Sequence, residues 1–186
     1  QMNGVHISGF VSIDFEKSVY PPGLSGTLKD MDYRLDVDAS KAHTSMDDFL
    51  EDVDRTLEAR IKAYKHLWKT PDWQNFMLIF TGTDRLMHFL WSAYADKKHP
   101  HHNFFVDHFR KIDEIIGEIA ADIKDDDNLI ILSDHGFEEL ESEFFVNYFL
   151  AEKSFLKFKP GTEPKLSNIA YGTKAFALDP GRIYIN

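Results

Sequence analysis

The sequence predicts an α/β fold, with a mainly parallel sheet flanked by helices. Residues 75–80 (NFMLIF) and 128–132 (NLIIL) are continuous apolar runs, which are typical of buried parallel strands. A long segment with apolar residues at helical spacing precedes the first run, and further helical segments lie between the two runs. Strands and helices therefore alternate through the middle of the chain, as they do in α/β domains.

The longest predicted helix covers residues 46–68. Thr44 or Ser45 can cap its start, and acidic residues near its start and basic residues near its end suit the helix dipole. Residues 70–72 (TPD) end this helix before the first apolar run begins. Its apolar positions recur at helical spacing: Phe49, Leu50, Val53, Leu57, Ile61, Tyr64 and Leu67.

Two more helices are predicted between the apolar runs, at residues 84–94 and 104–124, with a polar loop between them. Towards the two ends of the chain the predicted elements are short. We expect strands at 5–13, 33–37, 175–178 and 182–185, and a helix at 144–151. The length of 186 residues is enough for one domain with a sizeable core, so we expect a single domain over residues 1–186.

Composition limits the functions that are open to this chain. Of its 186 residues, 43% are hydrophobic and 28% are charged, which is the balance of an ordinary globular protein. No run approaches the roughly 18 apolar residues that a membrane-spanning helix needs. The formal net charge of −10 argues against non-specific binding to nucleic acid, which relies on Lys and Arg. No signal peptide is visible at the start of the chain, but the chain opens at Gln1, so the compartment stays open, with the cytoplasm slightly favoured.

The chain has no cysteine, and this restricts the chemistry of any site. Disulfides, thiolate metal sites and a Cys nucleophile are excluded. A metal ion would have to be held by His and carboxylate side chains. Bound cations would also allow an acidic protein to accept an anionic substrate.

The first candidate site pairs Asp84 with His88. Residues four apart at the start of a helix lie on one face, so both side chains can reach one metal ion. They follow the first apolar run, at the carboxyl end of a predicted strand, where open α/β sheets bind ligands. The alternative is that Asp84 only stabilises a helix N-terminus and His88 packs nearby.

The second candidate site pairs Asp134 with His135, directly after the second apolar run. Adjacent residues of a strand point to opposite faces, but Gly136 permits a turn that brings both side chains to one site. Oxygen and nitrogen ligands together suit zinc or manganese. The alternative is an ordinary polar turn after a core strand. Since both pairs follow strands of the same predicted sheet, we expect the four side chains to converge.

These motifs resemble those of a known family. The stretches TGTDRLMHFLW and LSDHGF are similar to the two internal metal motifs of the alkaline phosphatase superfamily. They are closest to its type I phosphodiesterase/nucleotide pyrophosphatase branch and to its predicted phosphohydrolase/phosphomutase group. The resemblance extends to VHISGF, YPPGL, FFVNYFL and GTKAFALDPGRIYIN, and so covers nearly the whole chain.

The resemblance implies an alkaline-phosphatase-like doubly wound fold and two divalent metal ions, zinc or manganese. Asp84 and His88 would bind one ion, and Asp134 and His135 the other. Lys174, in a stretch that resembles the family, could approach a substrate phosphate; the alternative is an ordinary surface lysine. The family also uses an early Asp, a Thr or Ser nucleophile and a late His, and none of these can be placed in this sequence.

The expected function is therefore hydrolysis of phosphate mono- or diesters by a larger parent enzyme. This chain would be an excised middle portion of it, with weak or absent metal binding and no activity of its own. One alternative is a non-catalytic binding or interaction domain of the same ancestry. Another is a small complete metallohydrolase that uses these four ligands and an activated water.

Overall fold

The computed structural model describes residues 2–9, 12, 14–69 and 72–186. Within them, the α-helices are α1 (Leu24–Asp30), α2 (Met46–Lys69), α3 (Gly82–Ala95), α4 (His102–Asp122) and α5 (Val146–Glu152). The strands are β1 (His6–Ile7), β2 (Val19–Tyr20), β3 (Ala175–Asp179) and β4 (Arg182–Ile185). Short 3₁₀ helices lie at Glu16–Ser18, Ala39–His43 and Leu166–Asn168. No helix of the described residues is long and apolar enough to cross a membrane.

The residue contacts group the chain into two compact units, residues 1–138 and 139–186. The first unit contains β1, β2 and helices α1 to α4, and the second contains α5, β3 and β4. Whether they are one domain, as the sequence predicts, stays a prediction. Both candidate ligand pairs belong to the first unit.

The first unit is built around α2, which matches the helix predicted at residues 46–68. Its apolar stripe packs against α3 and α4, so that Phe49 and Val53 are fully buried beside Leu86 and Phe105. This packing follows from the spacing of the apolar residues, which places them on one face of the helix. Helices α3 and α4 also lie within a few residues of their predicted positions.

A buried carboxylate fastens the loop before α2 to that helix. Asp52 is 2% exposed, and its oxygens accept hydrogen bonds from Arg34, from Lys41 Nζ at 2.7 Å and from the Asp38 amide at 2.8 Å. Burial raises the pKa of Asp52, but the bonds from Lys41 and the Asp38 amide and the nearby positive charges outweigh it, so the pKa is lowered. The carboxylate therefore holds residues 34–41 in place, including Asp36 at the candidate site.

The first apolar run, residues 75–80, has no hydrogen-bonded strand partner in the described part of the chain, but its side chains alternate as in a strand. Phe76, Leu78 and Phe80 pack on a cluster formed with Tyr64 of α2 and with α4. Met77 and Ile79 point away and are 85% and 59% exposed. This period of two is that of an extended chain with helices covering one face.

The second run is exposed, contrary to the expected burial. Ile130, Ile131 and Leu132 are 77%, 65% and 80% exposed. A strand buried on both faces needs neighbouring strands and two covering layers, and the described residues place none of these around this run. The parallel sheet and the doubly wound fold therefore stay predictions. The sheets that are described are two small antiparallel pairs, β1–β2 and β3–β4.

The elements near the ends of the chain agree in part with the predictions. The strand predicted at 5–13 is reduced to β1, and residues 10, 11 and 13 lie outside the described part. No strand is formed at 33–37. In the second unit, β3, β4 and α5 lie close to their predicted places, and α5 is tied to β3 by paired hydrogen bonds of 2.7 and 2.8 Å between the Asn147 side chain and the backbone of Ala177.

Candidate metal centre

Asp84 lies in the first turn of α3, directly after the first apolar run. The helix begins at Gly82, and the amide of Arg85 donates to the carbonyl of Thr81 at 3.2 Å. His88 is one turn further along the same face, with its Nε2 3.5 Å from Asp84 Oδ1. The predicted helical spacing therefore brings these two side chains together as expected.

The second ligand pair reaches the same carboxylate. His135 Nε2 lies 3.6 Å from Asp84 Oδ1 and 3.7 Å from Asp134 Oδ2. Asp84 is thus flanked by two imidazoles, one from its own helix and one from the loop after the second apolar run. All four candidate side chains form one cluster, in which Asp84 is the least exposed and Asp134 the most.

Local hydrogen bonds shape the loop that carries His135. Ser133 Oγ donates to the His135 carbonyl at 2.6 Å, and the His135 amide donates to Asp134 Oδ1 at 3.1 Å. His135 Nδ1 is 3.0 Å from the carbonyl of Gly136. Since Ser133 is engaged in holding this turn, it has a structural task and is not arranged as a nucleophile.

The bond from His135 to Gly136 determines which ring nitrogen carries the proton. A carbonyl oxygen only accepts hydrogen bonds, so Nδ1 is the donor. In the neutral ring, Nε2 is then the unprotonated nitrogen, and it lies 3.6 Å from Asp84 Oδ1. Two acceptors that face each other repel unless a cation or a proton lies between them. This is the arrangement in which histidine ligates metal ions, with the other ring nitrogen held by a backbone carbonyl.

An aromatic ring packs against both histidines. Phe137 lies edge-on to His88 with ring centroids 4.9 Å apart, and tilted to His135 at 5.1 Å. It covers one side of each imidazole with an apolar surface and restricts the orientation of both rings. Phe137 therefore connects the helix and the loop that carry the two ligand pairs.

A polar network behind Asp84 fixes its other oxygen. Arg85 Nη1 donates to Asp84 Oδ2 at 2.8 Å, and Arg85 Nε and Nη2 both donate to Asp36 Oδ2, at 3.1 and 2.5 Å. Asp36 Oδ1 accepts from Thr81 Oγ1 at 2.7 Å. Asp36 thus anchors both the arginine and the residue that precedes α3. The network leaves Asp84 Oδ1 facing the histidines.

The cluster is not a finished metal cage. No group of three or more His, Asp or Glu side chains among the described residues is arranged to hold a metal ion. The separations of 3.5 to 3.7 Å are near the roughly 3.4 Å between two ligands of a tetrahedral ion with bonds of about 2.0–2.2 Å. The donors fit a metal in type and in pairwise distance, but they do not together surround one point.

Comparison with known proteins decides the family. The family model of the type I phosphodiesterases / nucleotide pyrophosphatases matches residues 4–183. The chain belongs to this family. The resemblance read from the two motifs is thereby confirmed, and it is consistent with the alkaline phosphatase superfamily. No curated protein and no solved structure matches the chain.

Family membership supports hydrolysis of phosphate esters as the ancestral chemistry, with metal dependence as the general property of the family. It does not by itself assign ligands to this chain. The roles of Asp84, His88, Asp134 and His135 as metal ligands stay predictions. So does the role of Lys174, which is exposed and belongs to the second unit.

The histidine-rich loop before α4 is occupied with local contacts. The amide of His101 donates to His99 Nδ1 at 3.2 Å, and His102 Nδ1 lies 2.7 Å from the carbonyl of Ala93. Trp91 stacks at an angle on Tyr94, with centroids 5.2 Å apart. These contacts agree with a structural interpretation of the loop.

The structure adds residues that sequence reasoning missed. Arg85 follows a candidate ligand directly, and its position was a usable signal. Asp36 is 48 positions before Asp84 and carries no motif, so only the fold reveals it. His108 was missed although it lies between Phe105 and Ile112 on the apolar stripe of α4, where a polar residue is unusual.

Proposed function

We propose that this chain provides part of a two-metal phosphoesterase site, with Asp84 and His88 on one ion and Asp134 and His135 on the other. The observation that carries the proposal is that each pair brings an imidazole nitrogen next to a carboxylate oxygen within one cluster. His88 Nε2 lies 3.5 Å from Asp84 Oδ1, and His135 Nε2 lies 3.7 Å from Asp134 Oδ2. Nitrogen and oxygen donors of this kind suit zinc or manganese.

In this proposal, the side chains have distinct tasks. His135 and His88 present imidazole nitrogens, and Asp84 presents Oδ1 between them while Arg85 holds Oδ2. Phe137 keeps both rings in orientation. Bound divalent ions would supply charge stabilisation to a phosphoryl group and would activate an oxygen nucleophile.

The proposed substrates are small phosphate mono- or diesters rather than nucleic acid. A net charge of −10 opposes the extended phosphate contacts of non-specific nucleic-acid binding. Locally, the cations would reverse the sign of the field at the site, which allows one anionic group to bind.

We further propose that the nucleophile and the remaining ligands come from residues other than these 186. Each pair supplies two donors, whereas catalytic zinc sites have about three protein ligands. No candidate in the sequence follows the family pattern for the Thr or Ser nucleophile, and no histidine follows His135. On this proposal the 186-residue chain alone binds metal weakly and does not turn over.

The proposed fold around the site is a parallel sheet that includes residues 75–80 and 128–132. Its support is the alternation of Phe76, Leu78 and Phe80 towards the helices with Met77 and Ile79 away from them. Such a sheet would place both ligand pairs at the carboxyl ends of strands, where α/β folds bind ligands.

The test is hydrolysis of an aryl phosphate and a bis-aryl phosphate, with zinc or manganese added and with a chelator. The 186-residue chain and the longest natural form of the protein are assayed side by side. We expect metal-dependent turnover only by the longer form. Turnover by the 186 residues alone would show that they make a complete metallohydrolase.

A second candidate function is a non-catalytic binding domain of the same ancestry. The lack of a finished metal cage among the described residues favours it. In that case the longest natural form is inactive with every metal, and it also fails to bind zinc or manganese. An inactive form that still binds two ions would instead mean that the substrate was wrong.

A further inference from the structure

A small cavity with a mainly apolar lining and a few polar side chains lies beneath the first turn of α3. Its volume is about 10 Å³. It is lined by one face of α2, by the residues that lead into α3 and by one side chain of α4: Val53, Thr56, Leu57, Arg60, Phe80, Thr81, Gly82 and His108. Nothing in the phosphoesterase proposal uses this cavity.

Three buried polar atoms at this cavity have no hydrogen-bond partner among the described residues. They are Thr56 Oγ1 and both ring nitrogens of His108, and each of the two residues is only 3% exposed. A buried donor or acceptor without a partner carries its full desolvation cost, so such atoms are rare in folded proteins and usually meet ordered water.

The other two polar side chains that line the cavity, Arg60 and Thr81, already have partners, since Thr81 Oγ1 donates to Asp36 Oδ1 at 2.7 Å. Arg60 donates from Nη1 to the carbonyl of Ile79 at 2.7 Å and from Nη2 to the carbonyl of Leu35 at 2.9 Å. Its positive charge opposes a cation in the cavity, and the volume admits no ion with its hydration shell and no organic molecule. One water needs a space of about 10–15 Å³ and two to four polar partners; this cavity has about 10 Å³, and the unpaired side chains of Thr56 and His108 both line it.

We propose that a single buried water occupies this cavity and links Thr56 of α2 to His108 of α4. The hydroxyl both donates and accepts, and a neutral imidazole has one donor and one acceptor, so a water can complete bonds to both. The site is a structural hydration site that joins two helices under the first turn of α3. It stands whether or not the chain binds metal.

The backbone at Gly82 shows how closely this turn rests on the histidine. A Cβ at this position would lie 2.7 Å from His108 Nε2 and 2.8 Å from Cε1. Only glycine lets the turn approach the ring so closely. Asp84 is two residues further along α3, so His108 packs beneath the turn that carries this carboxylate.

The direction in which one substitution changes the melting temperature tests the proposal. Thr56→Val replaces the hydroxyl by a methyl of the same shape. If the hydroxyl has no partner, this change removes a desolvation cost and the melting temperature stays equal or rises. If the hydroxyl binds a water, the change leaves that water and His108 short of a bond. We therefore expect the melting temperature of Thr56→Val to fall by a few degrees.

Thr56→Ser is the matched control, because it keeps the hydroxyl and removes only the methyl. We expect the melting temperature of Thr56→Ser to lie above that of Thr56→Val. A Thr56→Val protein at least as stable as the wild type would overturn the proposal.

A measurement on the wild-type chain guards against a variant that does not fold. Water-selective nuclear Overhauser spectra should show a cross-peak between a long-lived water and the ring protons of His108. The ¹⁵N shifts of the ring should show a neutral imidazole with one of its nitrogens hydrogen-bonded to the water. A ring without a water contact, or one bonded to another protein group, would contradict the proposal.

Discussion

Two histidines near the start of α3 meet opposite environments. His135 is half exposed, and it lies between two carboxylates that can share a cation with it. His108, across the same turn, is 3% exposed, and Thr56 is its only unpaired polar neighbour in the cavity among the residues that the structure describes. The same side chain is thus placed to bind a charge in one position and to stay neutral in the other.

The difference comes from the charges that each ring faces. The pKa of His108 is lowered to about 4, mainly by burial; Asp54 opposes this only in part, and the charge of Lys111 acts in the same direction as burial. At His135, the carboxylates of Asp84 and Asp134 favour a positive partner. The role of a histidine therefore depends on the charges around its ring and does not follow from its residue type alone.

The largest expected effect concerns the candidate metal centre around Asp84, where His135 is exposed. In the longest natural form of the protein, Asp84→Asn removes a charge that the proposed ion needs and should lower kcat/KM for a bis-aryl phosphate at least about 1,000-fold. Asp107→Asn, an exposed carboxylate on α4, is the matched control and should leave the rate unchanged. Comparable losses in both variants would remove Asp84 from the site.

The buried histidine predicts a loss of stability in acid. Its folded pKa, about 4, lies below its ordinary value of 6.5, so the unfolded chain binds the proton more tightly. The free energy of unfolding should therefore decrease as the pH falls from about 6.5 to about 4, by about 3 kcal/mol from this group.

Urea denaturation at several pH values measures this effect. In His108→Gln, which does not titrate, the free energy of unfolding should depend less steeply on pH over that window. In the control variant His135→Gln, the part of this pH dependence that comes from His108 should be the same as in the wild type. Equal slopes in the wild type and His108→Gln would mean that His108 is not buried as a neutral ring.

Because Gly82 lies so close to His108, we expect a glycine-to-alanine substitution in this helix to destabilise the protein, whereas such a substitution usually stabilises a helix. Alanine normally stabilises a helix relative to glycine by about 1 kcal/mol. Here its Cβ would overlap the ring of His108, so Gly82→Ala should lower the free energy of unfolding by about 1–3 kcal/mol. Gly117→Ala in α4, where nothing lies within 4 Å of the new Cβ, is the control and should be neutral or stabilising. Equal effects at both positions would contradict the close approach.

The smallest expected effect concerns the network behind Asp84. Asp36→Asn weakens the hold on Arg85 and Thr81, and it should lower the zinc affinity of the longest natural form about tenfold without changing the number of ions bound. Asp38→Asn, in the same loop, is the control. Unchanged affinity in Asp36→Asn would mean that the network is structural only.

Local patterns predicted the helices well, because their apolar positions determine which face packs. Phe49, Val53 and Leu57 recur at the spacing of a helix face and are buried as expected. The pairing of Asp84 with His88 also followed from helical spacing alone. The proximity of Asp84 and His135 could be predicted only from the family resemblance and from the position of both motifs at the ends of predicted strands.

Other features depend on contacts between distant parts of the chain, which local patterns do not specify. Asp36 reaches the site because the buried Asp52 holds its loop, and no motif marks either residue. The burial expected for Ile130 and Ile131 depends on neighbouring strands and layers, which the run itself cannot supply. Apolar composition indicates that a segment needs cover, but it does not identify what covers it.

The most direct test of the central claim is the stoichiometry of metal binding. Calorimetric titration of zinc or manganese into the longest natural form should give two ions per chain. Asp84→Asn should lower that number by one, His135→Gln should lower it by one, and the double variant should bind neither ion. His101→Gln, outside the cluster, should leave two. Two ions bound equally well by all of these variants, or no saturable binding by the wild type, would contradict the assignment of this cluster as a metal centre.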